Sequence, residues 1–172
     1  MSEAGKPVTK VGTYEQWAEG VHHSIRGDDL WKIQAYRLAL FVADIGWHDV
    51  TKLLGDTRTV KVSNQLYRAL GSIGANLSEG YSRSTGKARA LYYEHALGSD
   101  RESRGWYHNS RFILGEAVLA HRADLLTQII RLLLTMIPGQ RKINRISDDQ
   151  PEYHTDDSGL TRLLNQPIPY TD

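Results

Sequence analysis

The chain has 172 residues, 40% of them hydrophobic and 24% charged, which is enough for one buried core and too short for two full domains. It contains no cysteine, which excludes disulfides, thiolate zinc sites, iron–sulfur ligation and a cysteine nucleophile. The net charge of +1 is segregated: residues 30–146 carry 17 basic and nine acidic side chains, whereas residues 1–29 and 147–172 are each net acidic. A basic middle between acidic ends favours polyanions such as RNA or DNA, although an ordinary solvated surface would give the same count.

The opening stretch MSEAGKPVTKVGTYEQWAEG has no continuous apolar core of the signal-peptide kind. No run approaches the roughly 18 apolar residues of a membrane span. The expectation is a cytoplasmic protein without membrane contact, residues 1–29 forming an N-terminal extension. Asp28 and Asp29 can cap a first helix over about 30–54, with Leu30, Ile33, Leu38, Phe41, Val42 and Ile45 as its apolar positions. Residues 55–61 read as a polar connection. Ser63 then caps a second helix to about Gly80, where Leu66, Leu70, Ile73 and Leu77 recur at spacings of four, three and four.

The segment GYSRSTGKA at 80–88 looks like a phosphate-binding loop but fails as one. It has five residues between its glycines, Ala88 stands at the required Ser/Thr position, and it follows a helix rather than a strand. Arg83, Lys87 and Arg89 remain candidates for a basic loop that meets phosphates. A third helix runs over about 87–114. On it Arg101, Arg104, His108 and Arg111 are spaced i, i+3, i+7 and i+10, within an arc of roughly 80°. Such a row of like charges is either a phosphate-backbone stripe or a solvated face balanced by salt bridges, Glu94 and Glu102 being the nearest offsets. Tyr92, Tyr93, Trp106 and Tyr107 on the same helix either stack on bases or pack in the core.

A fourth helix spans about 120–137 and is ended or kinked by Pro138-Gly139. Nine of the 13 residues from Leu125 to Ile137 are apolar, too many for a single buried face. The acidic tail 147–172 is expected to be flexible; it can dock through Leu160, Leu163 and Leu164 or compete with a polyanion for the basic surface. The seven histidines lack metal-ligand spacing, and no nucleophile, acid or base has supporting context. The sequence therefore predicts no enzyme, no catalytic residue, no metal and no cofactor. Four helices with short connections predict an all-α bundle over 30–146.

Gly71, Gly74, Ala75 and Ser78 make a small-residue strip on the second helix, with Gly98 and Ser99 as its counterpart on the third. A Gly inside a helix costs about 1 kcal/mol relative to Ala, so the strip predicts that these helices meet almost backbone to backbone. Asn76 and Glu79 beside that seam are expected to be hydrogen-bonded structural residues, with Arg68 and Glu102 in the same network.

These stretches resemble a family of small bacterial four-helix-bundle proteins encoded in intervening sequences of large-subunit ribosomal RNA genes. Gln65, Arg68 and Ala69 match its first motif, Ser72, Ile73, Asn76, Glu79 and Gly80 its second, and Ala96, Gly98, Ser99 and Glu102 its third. Leu77 and Ser78 replace the commoner Ile and Ala, and Gly74 stands where Pro is frequent. The resemblance covers about residues 30–140. It implies an up-down four-helix bundle assembled as a barrel-like homopentamer, and a relation to the accessory variability determinant (Avd) proteins of diversity-generating retroelements, which partner a reverse transcriptase and bind nucleic acid. The resulting expectation is a non-enzymatic accessory protein. It contacts RNA or DNA backbone through Arg83, Lys87, Arg89, Arg101, Arg104, His108 and Arg111, and assists a nucleic-acid enzyme such as a reverse transcriptase. The alternative is an interaction scaffold whose basic face meets an acidic protein.

Overall fold

A computed structural model describes residues 9–143, 153 and 158–172. Among these residues every regular element is helical: α1 (Tyr14–Gly20), α2 (His23–Arg26), a 3-10 turn (Asp29–Lys32), α3 (Gln34–Leu54), α4 (Val60–Tyr81), α5 (Gly86–Leu114), α6 (Glu116–Arg141) and α7 (Ser158–Asn165). The four long helices, α3 to α6, close a bundle in which α3 packs on α4, α4 on α5, α5 on α6 and α6 back on α3. Cross-links fix the alternating directions. Ser63 near the start of α4 donates to the Val50 carbonyl near the end of α3, and Glu94 of α5 pairs with Arg141 at the end of α6.

The boundaries shift from the sequence reading for local reasons. The first expected helix is split, because Asp28 Oδ1 accepts from Leu30 N (2.8 Å) and closes a 3-10 turn, after which Ile33 is extended and α3 starts afresh. α4 begins at Val60, so Ser63 is a buried bridge to α3 and not its cap. Thr85 caps α5 by accepting from Ala88 N. α5 and α6 are joined by Gly115 alone, at φ +83°, a conformation that L side chains rarely adopt. Pro138 does not end α6, which runs on to Arg141; lacking an N–H, it leaves the Leu134 carbonyl without its i→i−4 donor.

The ends of the chain are part of the same body. Trp17 of α1 is buried against Phe41, and its Nε1 donates to Asp44 Oδ2 at 2.7 Å. Residues 158–172 correct the expectation of a flexible tail. α7 packs on α6 and α1, with Leu160, Leu163 and Ile168 buried. The strand beyond it is tied by Ile168 N to the Gly12 carbonyl (3.0 Å), Tyr170 Oη to the Val11 carbonyl (3.0 Å) and Thr171 Oγ1 to the Leu114 carbonyl (2.6 Å). Backbone and apolar side chains hold the segment together with cations: Lys10 Nζ donates to the Thr171 carbonyl, Lys52 Nζ donates to the Asp172 carbonyl, and the Arg122 guanidinium lies over the Tyr170 ring.

Beneath this strand lies a buried charge cluster. Arg122 of α6 has 0% exposure and Asp49 of α3 has 2%. Arg122 Nε donates to Asp49 Oδ2 (2.8 Å), Nη2 donates to the Pro169 carbonyl (2.9 Å), and Nη1 reaches His121 Nδ1 (2.7 Å). Tyr107 Oη of α5 donates to Asp49 Oδ2 at 2.8 Å. An arginine can only donate, so His121 Nδ1 must accept and the imidazole is neutral. Burial first, and then the Arg122 charge, push its pKa down to about 4. Asp49→Ala is expected to lower unfolding stability by about 3–5 kcal/mol, because Arg122 is left charged and buried. Asp49→Ala/Arg122→Leu should be less destabilised than Asp49→Ala alone, as measured by urea denaturation; a loss equal to the sum of the two single-variant losses would show that the pair is not coupled.

Candidate nucleic-acid interface

α5 turns two different faces to its surroundings. Ala90, Tyr93, Ala96, Leu97, Ser103 and Tyr107 recur at helical spacing and face the core. Arg101, Arg104 and His108 are exposed on the flank of that face, and Arg111 is half-buried near the end of the helix. Arg104 Nη1 donates to Thr127 Oγ1 of α6 (3.2 Å), and Arg111 Nη1 donates to the His108 carbonyl (2.7 Å). Among the described residues none of these three arginines forms an ion pair.

The reason lies in what happens to the helix's own acids. α5 contains three carboxylates, Glu94, Asp100 and Glu102. Glu94 pairs with Arg141 of α6. Glu102 pairs with Arg68 of α4 at 2.7 Å and also accepts from Trp106 Nε1 at 3.2 Å. Asp100 is fully buried with no hydrogen-bond partner on either oxygen. Burial pushes its pKa up to about 8, despite the opposing pull of Arg104 and Arg101. At neutral pH it is therefore mostly uncharged. The two acids that the sequence offered as offsets are engaged elsewhere, and the third is neutral, so the outer face keeps its positive charge.

The basic loop fares differently. Lys87 is exposed. Arg83 pairs with Glu79, donates to Tyr92 Oη (2.5 Å) and stacks over that ring at 4.4 Å. Arg89 is 3% exposed; its Nη2 donates to the Tyr81 carbonyl at 2.6 Å and its guanidinium stacks on the Tyr81 ring. Arg89 is thus a correction: it ties the α4–α5 turn together and has no surface for a phosphate. Its helical phase, shared with Tyr93 and Ala96, was the signal that placed it inward. The aromatic candidates divide in the same way, with Tyr93 and Tyr107 buried and Tyr92 and Trp106 half-buried.

The motif residues hold α4 to α5, but not through the expected seam. A Cβ on Gly71 or Gly98 would meet nothing within 4 Å, and Gly74 faces Leu40 and Ala39 of α3. The close approach of α4 and α5 is instead at Gly80, where a Cβ would lie 2.9 Å from both Tyr92 Cβ and Tyr93 Cε1. Arg68 bonds Gln65 Oε1 and Glu102 across the two helices. Ser72 Oγ donates to the Arg68 carbonyl, Asn76 Nδ2 to the Ser72 carbonyl and Ser99 Oγ to the His95 carbonyl, each one turn back on its own helix. Glu79 is exposed and serves Arg83, so it is not a buried network member. Gly71 lies in an open groove of about 680 Å³ between α3 and α4. Trp47 and Tyr67, both about half exposed, pack edge to face in its wall.

Asp100 gives a pH signature. Its pKa is near 8 in the folded state and near the model-compound value of 3.8 when unfolded, so folding takes up a proton between these limits and stability falls as pH rises from about 4 to 8. Above that range the loss is complete. Asp100→Asn should be more stable than wild type near pH 8 and should lose this share of the pH dependence, read as the difference between the two proteins' unfolding free energies. A constant difference over pH 4–8 would mean that Asp100 folds ionised.

Among the described residues no helix is long and apolar enough to cross a membrane, and no group of three or more His, Asp or Glu side chains is placed to hold a metal ion. No curated protein and no solved structure matches the chain. The profile of the 23S rRNA-intervening sequence protein family matches residues 32–133, which takes in α3, α4, α5 and most of α6 with every motif residue described above. With more than half its length matched over the whole cationic helix, the chain belongs to the 23S rRNA-intervening sequence protein family.

Proposed function

We propose that the protein binds RNA, or DNA, by its phosphate backbone along the outer face of α5, as a non-enzymatic accessory to a nucleic-acid enzyme such as a reverse transcriptase. The observation that carries the reading is the set of exposed arginines without carboxylate partners on a helix whose three acids are all engaged or neutral. Uncompensated cations on one face are the electrostatic footprint of a polyanion site. The family's name, taken from 23S rRNA, is compatible with an RNA partner. Arg101, Arg104, His108 and Arg111 make the contact, with Lys87 further along the helix. No base-reading module accompanies them, so sequence preference is low.

The test is affinity against salt concentration for short RNA and DNA. For wild type, log K should fall linearly with log salt. Arg101→Glu/Arg104→Glu/Arg111→Glu should weaken binding strongly and flatten the slope by about 2–3, the share of three phosphate contacts. Unchanged affinity would remove this face from the mechanism. Absence of binding at low salt in the wild type would favour the scaffold reading, in which an acidic protein meets the same arginines.

The same proposal includes a homo-oligomer, a pentamer by the resemblance to the ribosomal RNA intervening-sequence family. The groove between α3 and α4 suits assembly: Trp47 and Tyr67 leave apolar surface in water above a floor that includes Gly71 and Ala75. Gly71→Arg is expected to reduce the assembled mass measured by light scattering while leaving the thermal midpoint of the single chain intact, since the position is open. An unchanged mass would place the assembly surface elsewhere.

A further inference from the structure

The chain has two phenylalanines, and they have opposite fates. Phe41 is in the core at 1% exposure; Phe112, near the end of α5, is 82% exposed. Nothing in the bundle uses the Phe112 ring except one neighbour. The Arg111 guanidinium lies over it, 4.1 Å from the ring centroid. That guanidinium is itself held by its Nη1 bond to the His108 carbonyl, so the stacked pair is fixed in orientation. Seven and fourteen residues before Phe112 lie Gly105 and Gly98, on nearly the same line of the helix, and among the described residues a Cβ on either would meet nothing within 4 Å beyond the adjoining backbone of α5 itself. A bare track therefore leads to an exposed aromatic ring. Arg101 and His108 border the track, and from Arg101 to Phe112 the helix rises about 16 Å, the reach of a few nucleotides.

We propose that Phe112, stacked with Arg111, is a platform for an unpaired nucleobase, so that this face takes single-stranded or looped nucleic acid in preference to a duplex. The inference rests on the polyanion reading above and specifies its ligand. A backbone lying on Arg101, Arg104 and His108 brings the adjoining base to the end of the track. A base inside a duplex has both faces occupied by its neighbours; an unpaired one has a face free for an aromatic ring. Cation and ring together suit a base beside a phosphate: Arg111 supplies charge and a second planar surface, and Phe112 supplies a π-face that every base tolerates.

The experiment compares a single-stranded RNA 12-mer with a duplex of the same length, by fluorescence anisotropy at fixed low salt, for wild type, Phe112→Ala and Phe112→Trp. The expected result is a single-strand affinity about tenfold lower for Phe112→Ala, retained for Phe112→Trp, with duplex affinity unchanged. Equal loss on both ligands, or no loss on either, would overturn the assignment. So would a single-strand loss that accompanies a drop in assembled mass, because Phe112 would then be a contact between copies. Failure of the parent reading is separate. Wild type that binds neither RNA ends both ideas, whereas binding that needs the arginines and ignores Phe112 ends this one alone.

Discussion

The Asp49–Arg122 ion pair sets the terms for the rest of the molecule. Taking two charges out of water costs several kcal/mol per ion, and their attraction offsets this only if the remaining donors and acceptors are also satisfied. Here that requirement recruits four separate parts of the chain: Asp49 from α3, Tyr107 from α5, Arg122 and His121 from α6, and the Pro169 carbonyl from the C-terminal strand. None of these groups is satisfied unless the others arrive. The cluster therefore specifies one arrangement of the helix ends, and through the Pro169 carbonyl it ties the C-terminal segment to the bundle.

The same low-dielectric logic produces the outer face of α5. The helix uses one acid to bind α6 and another to bind α4, and it buries the third where ionisation is unfavourable. What remains on the solvent side is cationic because the anions have been used for packing. The positive face is thus a by-product of how the bundle is held together, and the residues that stabilise α5 also set its field. The family motif reads in the same way: Arg68 and Glu102 join the two helices, and Gly80 lets them close at one end.

Much of this was legible in the sequence. The apolar spacing on α4 marked its buried stripe, and the i, i+3, i+7, i+10 row marked the cations as neighbours. Arg89 and Asp100 carry the same kind of signal, since both share the phase of the buried Tyr93 and Ala96. Other features had no local signal. The small-residue strip showed that something approaches α4 without showing which side, and Gly71 and Gly98 face open space. Phe112 reads as one more apolar residue in a helix, and only the packing around it leaves it in water.

By itself the sequence determined the four long helices and their boundaries to within about four residues, the basic middle of the chain and its family, because these follow from periodicity, capping and local motif. The tertiary structure decided which charges are cancelled and which remain. Asp49 and Arg122 are 73 positions apart, and Glu94 and Arg141 are 47 apart; whether two such groups meet depends on how the helices close on one another. Cancellation of charge is a property of distance and burial, and neither is written in the spacing of residues along a single helix.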